Sequence, residues 1–86
     1  MPERYAYEPV LSSKAADDLL SLPKMRQRKL IQRITQLAGS PSQLGDYSEP
    51  DDAGRDVQFI LVGDLLIAFW PDHPVKEFRI VDVEEV

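Results

Sequence analysis

His73 is the only side chain in this 86-residue sequence with an ordinary pKa near neutrality, and so the only ready general acid or base. It stands in the turn-forming run Pro71-Asp72-His73-Pro74, where a histidine with a purely local role is the plainer alternative. Arg55, just ahead of an apolar run, can hold a phosphate; pairing with Asp51, Asp52 or Asp56 would make it ordinary salt-bridged surface instead. Lys76 and Arg79 offer two further cations, with Glu77 between them to neutralise the strip. Trp70 offers an indole face for stacking on a base, or an anchor in the core or against a protein partner. Arg55, His73 and Arg79 are therefore the candidate catalytic residues, two guanidiniums to stabilise negative charge and an imidazole to move a proton.

Other chemistries are not encoded. There is no cysteine, which excludes disulfides and thiolate ligands, and a single histidine excludes a multi-histidine metal site. The acidic residues Asp46, Glu49, Asp51, Asp52 and Asp56 lack calcium-loop spacing. No glycine-rich phosphate cradle, nucleophile elbow or pair of catalytic carboxylates is present. No metal and no cofactor is expected.

The length suits one domain, residues 1–86. The formal charge of −5 is unevenly spread. Residues 1–38 carry seven Lys/Arg against four Asp/Glu, and residues 39–86 carry three against eleven. Such a bipolar, acidic chain is not an obvious nucleic-acid binder, because phosphate contacts supply most of that affinity. Nothing in the sequence approaches an 18-residue apolar run, and Met1-Pro2-Glu3-Arg4 does not open a secretory signal, so a soluble cytoplasmic protein is expected.

The elements that must position these residues follow from pattern. Residues 5–11 read as a strand, with Pro9 pointing to an edge position or to the strand's end. Ser12 or Ser13 caps a helix over 13–21, which Leu22-Pro23 ends. A second helix over 23–38 starts on Pro23 and carries Leu30, Ile31, Ile34, Leu37 and Ala38 as its apolar stripe. Its other faces are basic (Lys24, Arg26, Arg28, Lys29, Arg33); they could meet nucleic acid, the ribosome or an acidic partner segment, or only solvent. Gly39 suits the C′ position and Pro41 stops the helix. Residues 40–53 read as a loop. Strands follow over 55–62, 65–70 and 75–83, joined by a tight turn at Gly63-Asp64 and a turn over 71–74. Strand 65–70 is apolar on both faces, as a central strand should be. The apolar run 54–70, with 78–83, should form most of the core. The expected fold is α+β, in the order β-α-α-β-β-β, with a helical hairpin packed on a mainly antiparallel sheet.

This order resembles the RelE/ParE superfamily of bacterial toxins from type II toxin–antitoxin systems, across nearly the whole chain. The helix-ending phrase Leu37-Ala38-Gly39-Ser40-Pro41 looks like the family's pattern, as do Gly45-Asp46-Tyr47, Gly54-Arg55-Asp56-Val57 and the Val62-Gly63-Asp64 hairpin. Phe69 to Glu77 looks like a variant of the next turn. The resemblance implies growth inhibition, a place among plasmid-stabilisation modules and neutralisation by an antitoxin protein. Its ribosome-dependent members cleave mRNA without a metal, using basic residues on the open sheet face and a basic, tyrosine-bearing C-terminal segment. Its ParE-type members poison DNA gyrase without a strict catalytic set. Arg55 matches the first family arginine. The second falls on Leu66, which should instead add to the core, and the C-terminal segment falls near Val83-Glu84-Glu85-Val86, whose carboxylates repel a phosphodiester.

Two functions follow as expectations. One is a toxin-like protein bound by an antitoxin and aimed at either translation or gyrase. The other is a non-toxic binding or dimerisation module, a homodimer among its forms, that keeps the fold without the chemistry.

Overall fold

A computed structural model describes residues 7–42 and 44–86. The chain runs β1 (Glu8–Leu11), α1 (Ser13–Leu20), α2 (Lys24–Ala38), β2 (Tyr47–Pro50), β3 (Asp56–Val62), β4 (Leu65–Asp72) and β5 (Glu77–Glu85). One sheet forms, in the order β1-β5-β4-β3-β2. β1 pairs β5 in parallel, and the other pairings are antiparallel. The expected α+β architecture holds, with β4 central and β1 at one edge, where Pro9 is tolerated. Tyr5 and Ala6 of the predicted first strand lie outside the described residues.

Ser12 is the cap of α1. Its hydroxyl accepts from the Ala15 amide at 3.1 Å and donates to the Val81 carbonyl at 3.0 Å, so one side chain both starts the helix and ties it to β5. Leu22 is buried beneath the link between the helices. Pro23 is the N-cap of α2 and not its first helical residue: its ψ of 151° is extended, as is common just before a helix starts. Leu30, Ile34, Leu37 and Ala38 are buried, but Ile31 is 48% exposed. At 100° per residue Ile31 falls off the centre of the stripe set by Leu30, Ile34 and Leu37. Gly39 ends the helix with φ −74°, a right-handed conformation, so the left-handed C′ expected of a glycine there does not form.

The predicted loop over 40–53 contains an additional strand, β2. Its four residues are all exposed and give no apolar alternation to read. Neighbours hold it: the Tyr47 ring stacks on Phe59 at 4.8 Å, and the Asp46 carboxylate accepts from the Leu61 amide at 2.9 Å. Gly63 takes the left-handed φ of 63° in the predicted two-residue turn, with Val62 and Leu65 paired across it. The later turn is shifted. Pro71 and Asp72 stay in β4, paired with Phe78 and Glu77, and the chain reverses over 73–76 with Lys76 at φ 55°. The last strand accordingly runs two residues further than predicted.

The helices cover one face of the sheet. Ile60, Leu65, Ile67, Phe69, Phe78, Ile80 and Val83 point to it and meet Ala15, Leu30, Ile34, Leu37 and Ala38. The strands therefore supply most of the buried apolar residues, as expected, and the helices supply the rest. Leu66 is not among the core residues. Among the described residues no helix is long and apolar enough to cross a membrane.

Candidate functional site

Period-two alternation gives every strand a second set of side chains, and these form the face opposite the helices. The pairing arranges them in rows. One runs Tyr47, Phe59, Ala68, Asp82 across β2, β3, β4 and β5. The next runs Leu61, Leu66, Glu84. Trp70 opposite Arg79 stands at the other end of the face. A break in register between Ala68 and Phe69 leaves Val81 unpaired and lets Arg79 and Asp82 share this face, three residues apart.

The candidate residues gather at the Trp70 end. The Arg55 guanidinium lies 4.3 Å from the Trp70 ring centre and that of Arg79 lies 5.6 Å from it, both within cation–π reach. His73 shares a cleft with Arg55 and Trp70, walled by Pro41, Leu44 and Pro71. The structure thus brings Arg55, Arg79 and His73 around one indole.

Their partners limit what they can do. Arg55 Nε donates to Asp51 at 2.8 Å. The backbone amide of Arg55, then its guanidinium, hold the Asp51 carboxyl below the usual aspartate range. Arg79 donates to Asp72 at 3.1 Å and to Glu77 at 2.7 Å. Two cations therefore face three carboxylates, and an incoming phosphodiester would have to displace an ion pair at either arginine. Asp72 serves Arg79 and not its neighbour His73. The His73 Nδ1 instead lies 2.7 Å from the Tyr7 hydroxyl, and the two rings meet edge to face at 5.6 Å. Lys76 is exposed in the turn and stays outside the cluster.

The opposite end is acidic. Lys14 reaches from α1 to both Asp18 and Asp82, and these hydrogen bonds raise its pKa. Burial pushes the Asp82 carboxyl up, but hydrogen bonds from Lys14 and Glu84 carry it below the ordinary value. The hydrogen bond to Asp82, then the Asp82 charge, raise that of Glu84. A raised carboxyl contributes stability below pH 4.5 that is lost as pH rises through its folded value. Asp51 and Asp82 act in the reverse sense, contributing above pH 3.8 and losing that as pH falls through their folded values. Glu84→Gln keeps a donor for Asp82 and removes the unfavourable ionisation. It should raise Tm at neutral pH, and the gain should shrink below pH 4.5, as thermal unfolding across pH will read. Glu85 belongs to another arrangement, in which Arg26 of α2 bonds both Glu85 and Asp64.

Between the two ends the face is apolar. Tyr47 is 47% exposed and Leu61 51%, with Phe59 and Leu66 half-buried beside them. Strand 65–70, apolar on both faces in the sequence, gives Ile67 and Phe69 to the core and Leu66 to this face.

No protein-family model and no curated protein matches the sequence. Solved structures do. A chain of the RelBE2 toxin–antitoxin complex from Mycobacterium tuberculosis superposes with a TM-score of 0.74 at 15% identity, covering 94% of this chain and 99% of that one. A chain of the archaeal RelE–RelB complex from Pyrococcus horikoshii gives 0.70 at 18% identity, covering 93% and 94%. A chain of the E. coli RelBE complex gives 0.71 at 14% identity, covering 94% and 98%. Matches over 93–94% of this chain and 94–99% of the neighbours give it the fold of the RelE toxins.

Proposed function

We propose that this chain is the toxin-like component of a type II toxin–antitoxin module, acting in the cytoplasm and held inactive by an antitoxin protein. The observation that carries the reading is the end-to-end match to three chains, each from a toxin–antitoxin complex. An antitoxin segment lying on the sheet would also cover apolar surface that a domain this small leaves in water. The direct test is co-purification of the full chain with the product of the adjacent small open reading frame. A stable complex supports the module; two proteins that elute apart count against it.

The target favoured by the open face is a protein, DNA gyrase by likeness to ParE-type toxins. An apolar surface flanked by carboxylates suits a protein better than a polyanion. The competing reading, metal-independent mRNA cleavage, has its own observation in the gathering of Arg55, Arg79 and His73 about Trp70. The double variant Arg55→Ala with His73→Ala separates them. A ribonuclease that uses these groups would lose roughly 10²-fold or more of its activity. The protein-target reading expects growth inhibition to persist, with a DNA-damage response and no early arrest of translation, as reporter strains measure.

A further inference from the structure

We infer that the open face of the sheet is the antitoxin-binding surface and takes a segment in which apolar residues alternate with Lys or Arg. This rests on the toxin–antitoxin reading and specifies which face is used and by what chemistry. The middle of the face supplies the apolar half of the match. Tyr47, Phe59, Leu61 and Leu66 form one patch across three strands, and α1 and α2 pack on the other face. Two large side chains in that patch are half in water, an arrangement that costs free energy in the unbound chain and is relieved when a partner covers them.

The borders supply the charged half. A shallow groove floored by Val57, Phe59 and Ala68 has Glu49 on one side and Asp82 on the other. Glu49 stands opposite Val57 on β2 and has no ion-pair partner among the described residues. Glu84 is exposed, and its hydrogen bond is to another carboxyl, Asp82. A lysine or arginine arriving at either border would meet carboxylates without a full complement of cations. A strand or helix laid across the patch would place an apolar side chain over Phe59 and Leu61 and basic side chains over Glu49 and Glu84. An acidic segment would meet repulsion at both borders, and so would RNA. The basic outer face of α2, with Met25 72% exposed and Arg28 and Lys29 beside it, has the same apolar and basic chemistry, and a second copy could present it. The experiment distinguishes that source.

The test uses the complex of the full chain with the adjacent reading frame's product. Carbodiimide joins a carboxylate to a lysine only in direct contact. Cross-linking followed by mass spectrometry is expected to join Glu49 or Glu84 to lysines of the partner. The variant Glu49→Lys with Glu84→Lys, both exposed and so compatible with folding, is expected to weaken Kd at least tenfold. Reversing the cross-linked partner lysines to glutamate should restore binding. A complex of unchanged affinity, with cross-links confined to Asp17 and Asp18 on the helical side, overturns the inference and leaves the module standing. No complex at all removes both. Self-association abolished by the double variant, or binding of a single-stranded RNA oligonucleotide lost on Leu61→Asp, assigns the face to another occupant and overturns it as well.

Discussion

Phe69→Ala is expected to remove a large part of the stability of this domain. Phe69 is fully buried in the central strand, and its ring stacks on that of Phe78 at 4.8 Å. Truncating a buried phenylalanine to alanine costs about 3–5 kcal/mol, because the transfer free energy is lost and a cavity remains. A chain of this length has a total of roughly 4–13 kcal/mol to lose. Urea unfolding should show a midpoint lowered by roughly a quarter or more with an unchanged slope. Leu66→Ala, three residues earlier on the same strand, supplies the internal control. Its side chain lies on the open face and only partly out of water, so its loss should cost about 1 kcal/mol. Equal costs at Phe69 and Leu66 would mean that both faces are covered and that the layer order is wrong.

Gly45→Ala should act on one strand. A Cβ at Gly45 would stand 2.5 Å from the carbonyl oxygen of Phe59 and 2.9 Å from its carbonyl carbon and nitrogen, all backbone atoms that cannot turn aside. Forcing a methyl group against fixed atoms costs typically 1–3 kcal/mol. The molecule can avoid that cost by releasing β2, a four-residue edge strand with every residue exposed. Releasing it breaks the bond from the Asp46 amide to Phe59 at 2.7 Å and that from the Leu61 amide to Asp46 at 2.9 Å. Exchange at those two amides should accelerate roughly tenfold to a hundredfold while amides in β4 and β5 keep their protection. Loss of protection throughout the sheet would show that β2 is integral to the cooperative unit.

The same two positions explain what could be read from the sequence. The central hairpin was legible because apolar residues, a Gly-Asp turn and flanking breakers agree with one another. Helix α1 was legible from Ser12 and Leu22-Pro23, and α2 from Leu30, Ile34 and Leu37. β2 was not, because Tyr47-Ser48-Glu49-Pro50 has no pattern of its own; it exists through Phe59, Gln58 and Leu61 on the neighbouring strand. The shift of the last turn had the same origin. Prolines at positions 71 and 74 mark a turn in any local reading, yet Pro71 is accommodated in β4 beyond the last residue paired with β3.

The candidate site was legible in part. Arg55, Arg79, His73 and Trp70 were singled out by residue type, and the fold brings them together. Which carboxylate holds each arginine depends on long side chains meeting across a sheet, and spacing along the chain does not encode it. Leu66 shows the limit most clearly. Its apolar character suggested core, and only the placement of both helices on the other face reveals it as part of an uncovered surface. That surface lies between the arginine cluster and the acidic end of the same face.

The most direct measurement of the central claim is growth of a bacterial host after induction of this chain alone, with soluble expression verified, and again with the adjacent small open reading frame co-expressed. The proposed function predicts arrested growth in the first case and restored growth in the second. Normal growth with abundant soluble protein would contradict it and leave a non-toxic binding or dimerisation module on a RelE-like fold.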